Sequence, residues 1–157
     1  LVIIPCDFTH SDLAISNLHL SVLKDNVGQI LHCAANTNFN LSYHDLKVIN
    51  VDSTAFLIRF AMEHGMIPFT FISTLSVFDS LLRKDNDTFY EKLDVSDCTF
   101  PFYGYSQSKL VSEQLLYKAF LEVVKQKYDP KVIKNYVVSN YDWSIIANRF
   151  LDFINKG

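Results

Sequence analysis

Glycine is scarce. The chain has four, Gly28, Gly65, Gly104 and Gly157, and no two lie within six residues of each other. Neither a G-x-G-x-x-G dinucleotide fingerprint nor a phosphate-cradling Walker loop can therefore be written in this chain. Cysteine is also sparse. Cys6, Cys33 and Cys98 make an odd count, which argues against a disulfide framework and fits a reducing compartment such as the cytoplasm. Surplus charge is small: 14 Lys and Arg against 17 Asp and Glu give −3. The cations are scattered, whereas nucleic acid needs a clustered basic face. Long apolar runs are missing, and Arg59 interrupts the richest one, so no membrane-spanning helix is expected. No basic stretch leads into an apolar one in the way a signal peptide requires.

What is present is core-forming. Of 157 residues, 49% are hydrophobic and 20% charged, the composition and length of one globular domain, taken here as residues 1–157. Apolar runs at 1–4, 27–33, 67–72 and 131–138 read as short buried strands. Helical spacing covers 11–25, 42–64, 103–127 and 145–156, with Ser42 and Asp45 as a capping box and Gly65 as a stop. Segment 79–102 mixes charges, Pro101 and isolated aromatics and reads as a long surface loop. Strands alternating with helices predict an α/β domain with a parallel sheet and helices on both faces. Ligands then bind beyond the carboxyl ends of the strands, at 6–9, 33–37 and 73–78.

Those ends carry small and polar residues: Asp7, then Ala34, Ala35 and Asn36, then Ser73, Thr74 and Ser76. A helix follows that opens Tyr105-Ser-Gln-Ser-Lys109. Tyr and Lys at i and i+4 share a helix face, about 6 Å apart at Cβ. An ammonium at that range favours a phenolate and suits the tyrosine to proton transfer. Thr74 can offer a hydroxyl to a substrate carbonyl. Tyr-x-x-x-Lys alone is weak, since chance gives roughly half a match per chain of this size. Tyr43 and Lys47 are indeed a second match. That pair follows no strand ending in hydroxyls and reads as a surface pair.

Taken together, several blocks carry a family resemblance. They are Ile30-Leu-His-Cys-Ala-Ala-Asn36, Asn38-Phe39, Asn50-Val51 with Thr54, Phe71-Ile-Ser-Thr-Leu-Ser-Val-Phe78, and Tyr103-Gly-Tyr-Ser-Gln-Ser-Lys109 with Glu113. In order and spacing they resemble the extended short-chain dehydrogenase/reductases. The branch is that of thioester reductase domains, aminoadipate reductases and fatty acyl-CoA reductases (the male sterility, NAD-binding branch). The resemblance covers about residues 1–128. It implies a Rossmann-like three-layer parallel sheet. It also implies that the chain opens at the family's third strand, as a partial reductase domain incomplete at its N-terminus. An open sheet edge would then favour a homo-oligomer. In place of the family's Arg-Pro-Gly after the fourth strand stands Lys134-Asn135-Tyr136.

By this resemblance Thr74, Tyr105 and Lys109 match a catalytic triad, and Asn50 matches an asparagine that supports the lysine. Asp7 and Phe8 match the pair flanking the adenine. Ala34, Ala35 and Asn36 match the segment against the adenosine ribose and phosphates. Ser73, Tyr105 and Lys109 fall at the nicotinamide end. The implied cofactor is NADPH, with NAD also open. The implied substrate is an acyl or peptidyl thioester on the phosphopantetheine arm of a carrier protein, or a small acyl thioester. It is reduced to an aldehyde and in some members on to an alcohol, as in the reductase domain of a nonribosomal peptide or polyketide synthetase.

Other readings of the same residues stand beside these. Asp7 also suits a turn or helix cap, and Thr74 a strand-end hydroxyl bonded to backbone. Asn50 also suits a core asparagine. His32 with Cys33, and Cys6 with His10, match no zinc spacing, so no metal is expected. As a whole, a sugar-nucleotide epimerase or dehydratase of the same superfamily, and a non-catalytic module docking a carrier protein, remain the alternatives.

Overall fold

A computed structural model of the chain describes residues 2–78 and 101–127. The chain divides into two compact units, Leu1–Tyr117 and Lys118–Gly157, and the candidate site residues lie in the first. The expected strand at 131–138, the helix at 145–156, Lys134–Tyr136, Cys98 and most of the 79–102 loop lie outside the described residues.

The first helix, α1, spans Asn17–Asn26. Its N-cap is Ser16, whose hydroxyl accepts from the His19 amide at 3.3 Å, and Lys24 complements the dipole in the last turn. Helical spacing from residue 11 predicts an earlier start. Instead, Asp12 accepts the Ala14 amide at 3.0 Å, and Leu13 and Ala14 take φ of 58° and 48°. This left-handed backbone cannot enter a right-handed helix. Nor do residues 2–4 form a strand: Val2 and Ile3 are exposed, with no partner strand beside them among the described residues.

Strands β1, Ile30–His32, and β2, Phe69–Phe71, pair in parallel, with Ile30 opposite Phe69 and His32 opposite Phe71. Bonds from Ile30 N to Pro68 O at 2.9 Å and from Ile72 N to His32 O at 3.0 Å extend the ladder. Both strands fall within the sequence-predicted runs but are shorter than them. Parallel strands require a crossover, and it is helical. Helix α2, Tyr43–Lys47, runs through a π-helical turn, Val48–Asp52, into α3, Ser53–Glu63. The capping box is formed as expected: Ser42 and Asp45 exchange bonds at 3.1 and 3.3 Å. In the wide turn residues five apart become neighbours, and Lys47 Nζ bonds Asp52 Oδ1 at 2.6 Å. This ion pair, rather than Tyr43, occupies Lys47. The helix stops at Gly65 (φ 95°) and Met66 (φ 60°).

One core cluster joins Phe60, Ala61 and Ile67 to Leu20, Leu23, Val27, Ile30 and Phe69, seating α1 and α3 on the strands. A second joins Val77 and Phe78, in the 3-10 turn Leu75–Phe78, to Leu110 of α4, Gly104–Lys127. Helix α4 begins at a glycine for a steric reason. A Cβ on Gly104 would lie 2.5 Å from Leu41 O, Ser42 C and Tyr43 N. Only glycine lets the start of α4 close on the start of α2.

Candidate active site

In an open parallel sheet ligands bind beyond the carboxyl ends of the strands. At the end of β2 the Ile72 carbonyl accepts from Lys109 Nζ at 2.5 Å. The same ammonium lies 3.8 Å over the Phe71 ring, a cation–π contact strengthened by burial. Lys109 is only 3% exposed. Desolvation lowers its pKa to about 8, with Glu113 and Cys33 opposing that shift. The next residue, Ser73, is bonded by its hydroxyl to Glu113 Oε1, one helical turn beyond Lys109. Burial pushes the Glu113 carboxyl up, while the Ser73 bond and Lys109 pull it down. Consecutive residues at the end of β2 are thus fastened to α4 by consecutive turns of that helix.

Thr74 follows. Its Oγ1 accepts from the Ser76 amide at 3.2 Å and lies 3.0 Å from Ser76 Oγ, which holds the hydroxyl at the mouth of the 3-10 turn. Tyr105 is 8% exposed and meets Phe39 edge-on, with ring centroids 5.0 Å apart. The Lys109 ammonium bonds to strand carbonyl rather than to the phenol.

Asn50 sits where the π turn displaces the backbone. Its side chain accepts from Asn36 N at 2.8 Å and donates to Asn36 O at 3.0 Å and to Ser108 Oγ at 2.9 Å. Ser108 Oγ in turn donates to Tyr105 O at 2.7 Å. The Asn50 carbonyl accepts from Thr54 Oγ1 at 2.6 Å and Ser112 Oγ at 3.0 Å. Because the one Thr54 proton is spent there, Thr54 Oγ1 must accept from His32 Nε2, 3.0 Å away. His32 therefore carries a proton on Nε2. Desolvation first, and Lys109 second, lower its pKa to about 4.

Asn50 and Asn36 are thus brought together, with Ala34 and Ala35 half-buried just before them. Asp7 folds a turn: its Oδ1 accepts from Thr9 N at 2.8 Å and Thr9 Oγ1 at 2.7 Å. Those bonds hold its carboxyl below the usual range. Phe8 stacks parallel to His32 at 6.4 Å. Sequence reasoning passed over Ser108 and Ser112. Their spacing of four on an otherwise apolar helix face was the available signal, since buried hydroxyls need partners. Cys6 and Cys33 are free thiols. No cluster of metal-ligating side chains, and no helix long and apolar enough to cross a membrane, occurs among the described residues.

Parallel strands joined by a helical crossover, hydroxyls at the end of β2 and a buried lysine on the following helix define the class of fold: a Rossmann-like α/β domain. The chain belongs to the NAD-binding male sterility protein family, whose profile matches residues 1–139. It is 33% identical over 121 residues to probable polyketide synthase 3 of Dictyostelium discoideum, covering 72% of this chain and 4% of that protein. It is 32% identical over 114 residues to the nonribosomal peptide synthetase acrB of Aspergillus aculeatus, covering 72% of this chain and 7% of that protein. Among solved structures it resembles the terminal R domain from the myxalamid PKS-NRPS biosynthetic pathway. The TM-score is 0.62 and the identity 29%, over 74% of this chain and 29% of that one. The chain thus spans under a tenth of these synthetases and under a third of the R domain.

The residues present fit a nicotinamide cofactor at its ribose end. The Lys109 ammonium has three N–H donors, and the Ile72 carbonyl takes one. A buried cation so sparsely bonded suits a ribose diol.

Proposed function

We propose that this chain forms part of a reductase domain acting on an acyl or peptidyl thioester, carried on the phosphopantetheine arm of a carrier protein, and yielding an aldehyde. The observation that carries this reading is the fastening of Lys109 to the end of β2. It puts the lysine against the strand end that leads into Ser73 and Thr74, on the helix whose first turn holds Tyr105. A bound reduced nicotinamide, with NADPH the favoured form, supplies the hydride.

In this reading Thr74 Oγ1 donates to the thioester carbonyl oxygen and orients it. Tyr105 gives its phenolic proton to that oxygen as negative charge develops there. Lys109 holds the ribose and stabilises the phenolate that remains. The resulting hemithioacetal loses its hydroxyl proton as the C–S bond breaks, and the thiolate leaves protonated. Asn50 fixes Asn36 and holds Ser108, the residue before Lys109 on α4. Ala34, Ala35 and Asn36 line the adenosine side, with Asp7 and Phe8 beyond them and Ser73 beside the nicotinamide. Soluble acyl-pantetheine thioesters and NADPH test the reading. Cofactor oxidation matched by aldehyde formation supports it. A chain that binds neither cofactor nor thioester contradicts it.

A further inference from the structure

A row of four aromatic rings leads from the surface to the candidate proton donor. Phe102 meets Tyr103 at 5.1 Å, Tyr103 meets Phe39 at 5.5 Å, and Phe39 meets Tyr105 at 5.0 Å, each edge to face. Tyr105 is buried, 8% exposed, and the other three rings are open to solvent: Phe39 47%, Tyr103 41% and Phe102 59%. The row is built rather than incidental. Asn36 Oδ1 accepts the Asn38 amide at 3.0 Å and Asn38 Oδ1 accepts the Asn40 amide at 2.9 Å. Two successive Asx turns therefore hold the backbone on either side of Phe39. Asn50 anchors the first of them through Asn36. The close approach at Gly104 brings the Phe39 loop onto the start of α4, where Tyr103 and Tyr105 stand. Neither 33–43 nor 101–108 contains an Asp, Glu, Lys or Arg.

We infer that Phe39, Tyr103 and Phe102 form a subsite for the uncharged apolar or aryl tail of the acyl group whose carbonyl is reduced at Tyr105. This rests on the thioester reading, and its continuity with Tyr105 names the occupant. A sugar nucleotide brings phosphates, which need cations that these two segments do not supply. An acyl tail needs only apolar area.

The test is titration of the chain with butanoyl-, octanoyl- and phenylpropanoyl-pantetheine and with a uridine diphosphate sugar, read by calorimetry or ligand-observed NMR. The octanoyl and phenylpropanoyl thioesters should bind about tenfold more tightly than butanoyl. Phe39→Ala and Tyr103→Ala should abolish that difference, while Phe39→Leu keeps most of it. Both positions are half-exposed, and circular dichroism checks that the variants fold. Equal affinity for all three acyl groups, a preference unchanged in both alanine variants, or tighter binding of the sugar nucleotide overturns the subsite. If thioesters show the Phe39-dependent preference but NADPH is never oxidised, the reductase reading fails and the subsite stands. If reduction proceeds without regard to the acyl tail, the reverse holds.

Discussion

Asn50 holds both backbone polar groups of Asn36, accepting its N–H at 2.8 Å and donating to its carbonyl at 3.0 Å. With its second N–H on Ser108 Oγ, both donors of the Asn50 amide are used, and its orientation is fixed. It joins the loop after β1, the π turn and α4 in one buried network. Asn50→Ala leaves the Asn36 groups and Ser108 short of partners and should cost about 2–4 kcal/mol. Chemical denaturation measures the loss, and hydrogen exchange should locate it at the Asn36 amide.

Two serines two residues apart on α4 should respond oppositely. Ser108 Oγ bridges Asn50 and Tyr105, whereas Ser106 Oγ is buried with no hydrogen-bond partner among the described residues. Ser108→Ala should destabilise by about 1–3 kcal/mol, and Ser106→Ala should be neutral or stabilising by up to about 1 kcal/mol. Paired urea melts decide this.

Gly104→Ala places a methyl group against backbone atoms of 41–43 that cannot swing aside. Despite the better helix propensity of alanine, the variant should lose about 1–3 kcal/mol. A gain in melting temperature would contradict the close approach.

His32 is held neutral, its pKa lowered from 6.5 to about 4. The unfolded chain binds this proton between those values and the folded chain does not. Stability from His32 is therefore complete above pH 6.5 and is lost as pH falls toward 4, by up to about 3 kcal/mol. His32→Gln should flatten the pH dependence of the denaturation midpoint within that window. An unchanged slope would contradict the burial assigned to the ring.

Much of this was legible in the residues because it is local. Ser42 with Asp45, Gly65 as a stop and the apolar runs around β1 and β2 each carry their own signal, and the observed elements fall where those signals lie. The start of α1 was not legible, because a positive φ at Leu13 and Ala14 leaves no mark in apolar spacing. The π turn was hidden for a related reason. It is set by Asn50, Thr54 and Ser112 meeting across 62 residues of sequence. Tyr105 and Lys109 were singled out by pattern, but the bond from Lys109 to Ile72 O needed the packing of α4 against β2 to be seen.

The central claim is that Tyr105, Lys109 and Thr74 serve one carbonyl. The most direct measurement follows aldehyde formation from octanoyl-pantetheine and NADPH by the chain, beside Tyr105→Phe. Reduction that falls by about 10²- to 10⁴-fold in the variant, with thioester affinity retained, is the predicted result. Reduction undiminished in Tyr105→Phe, or none by the parent chain with both ligands bound, would contradict the account.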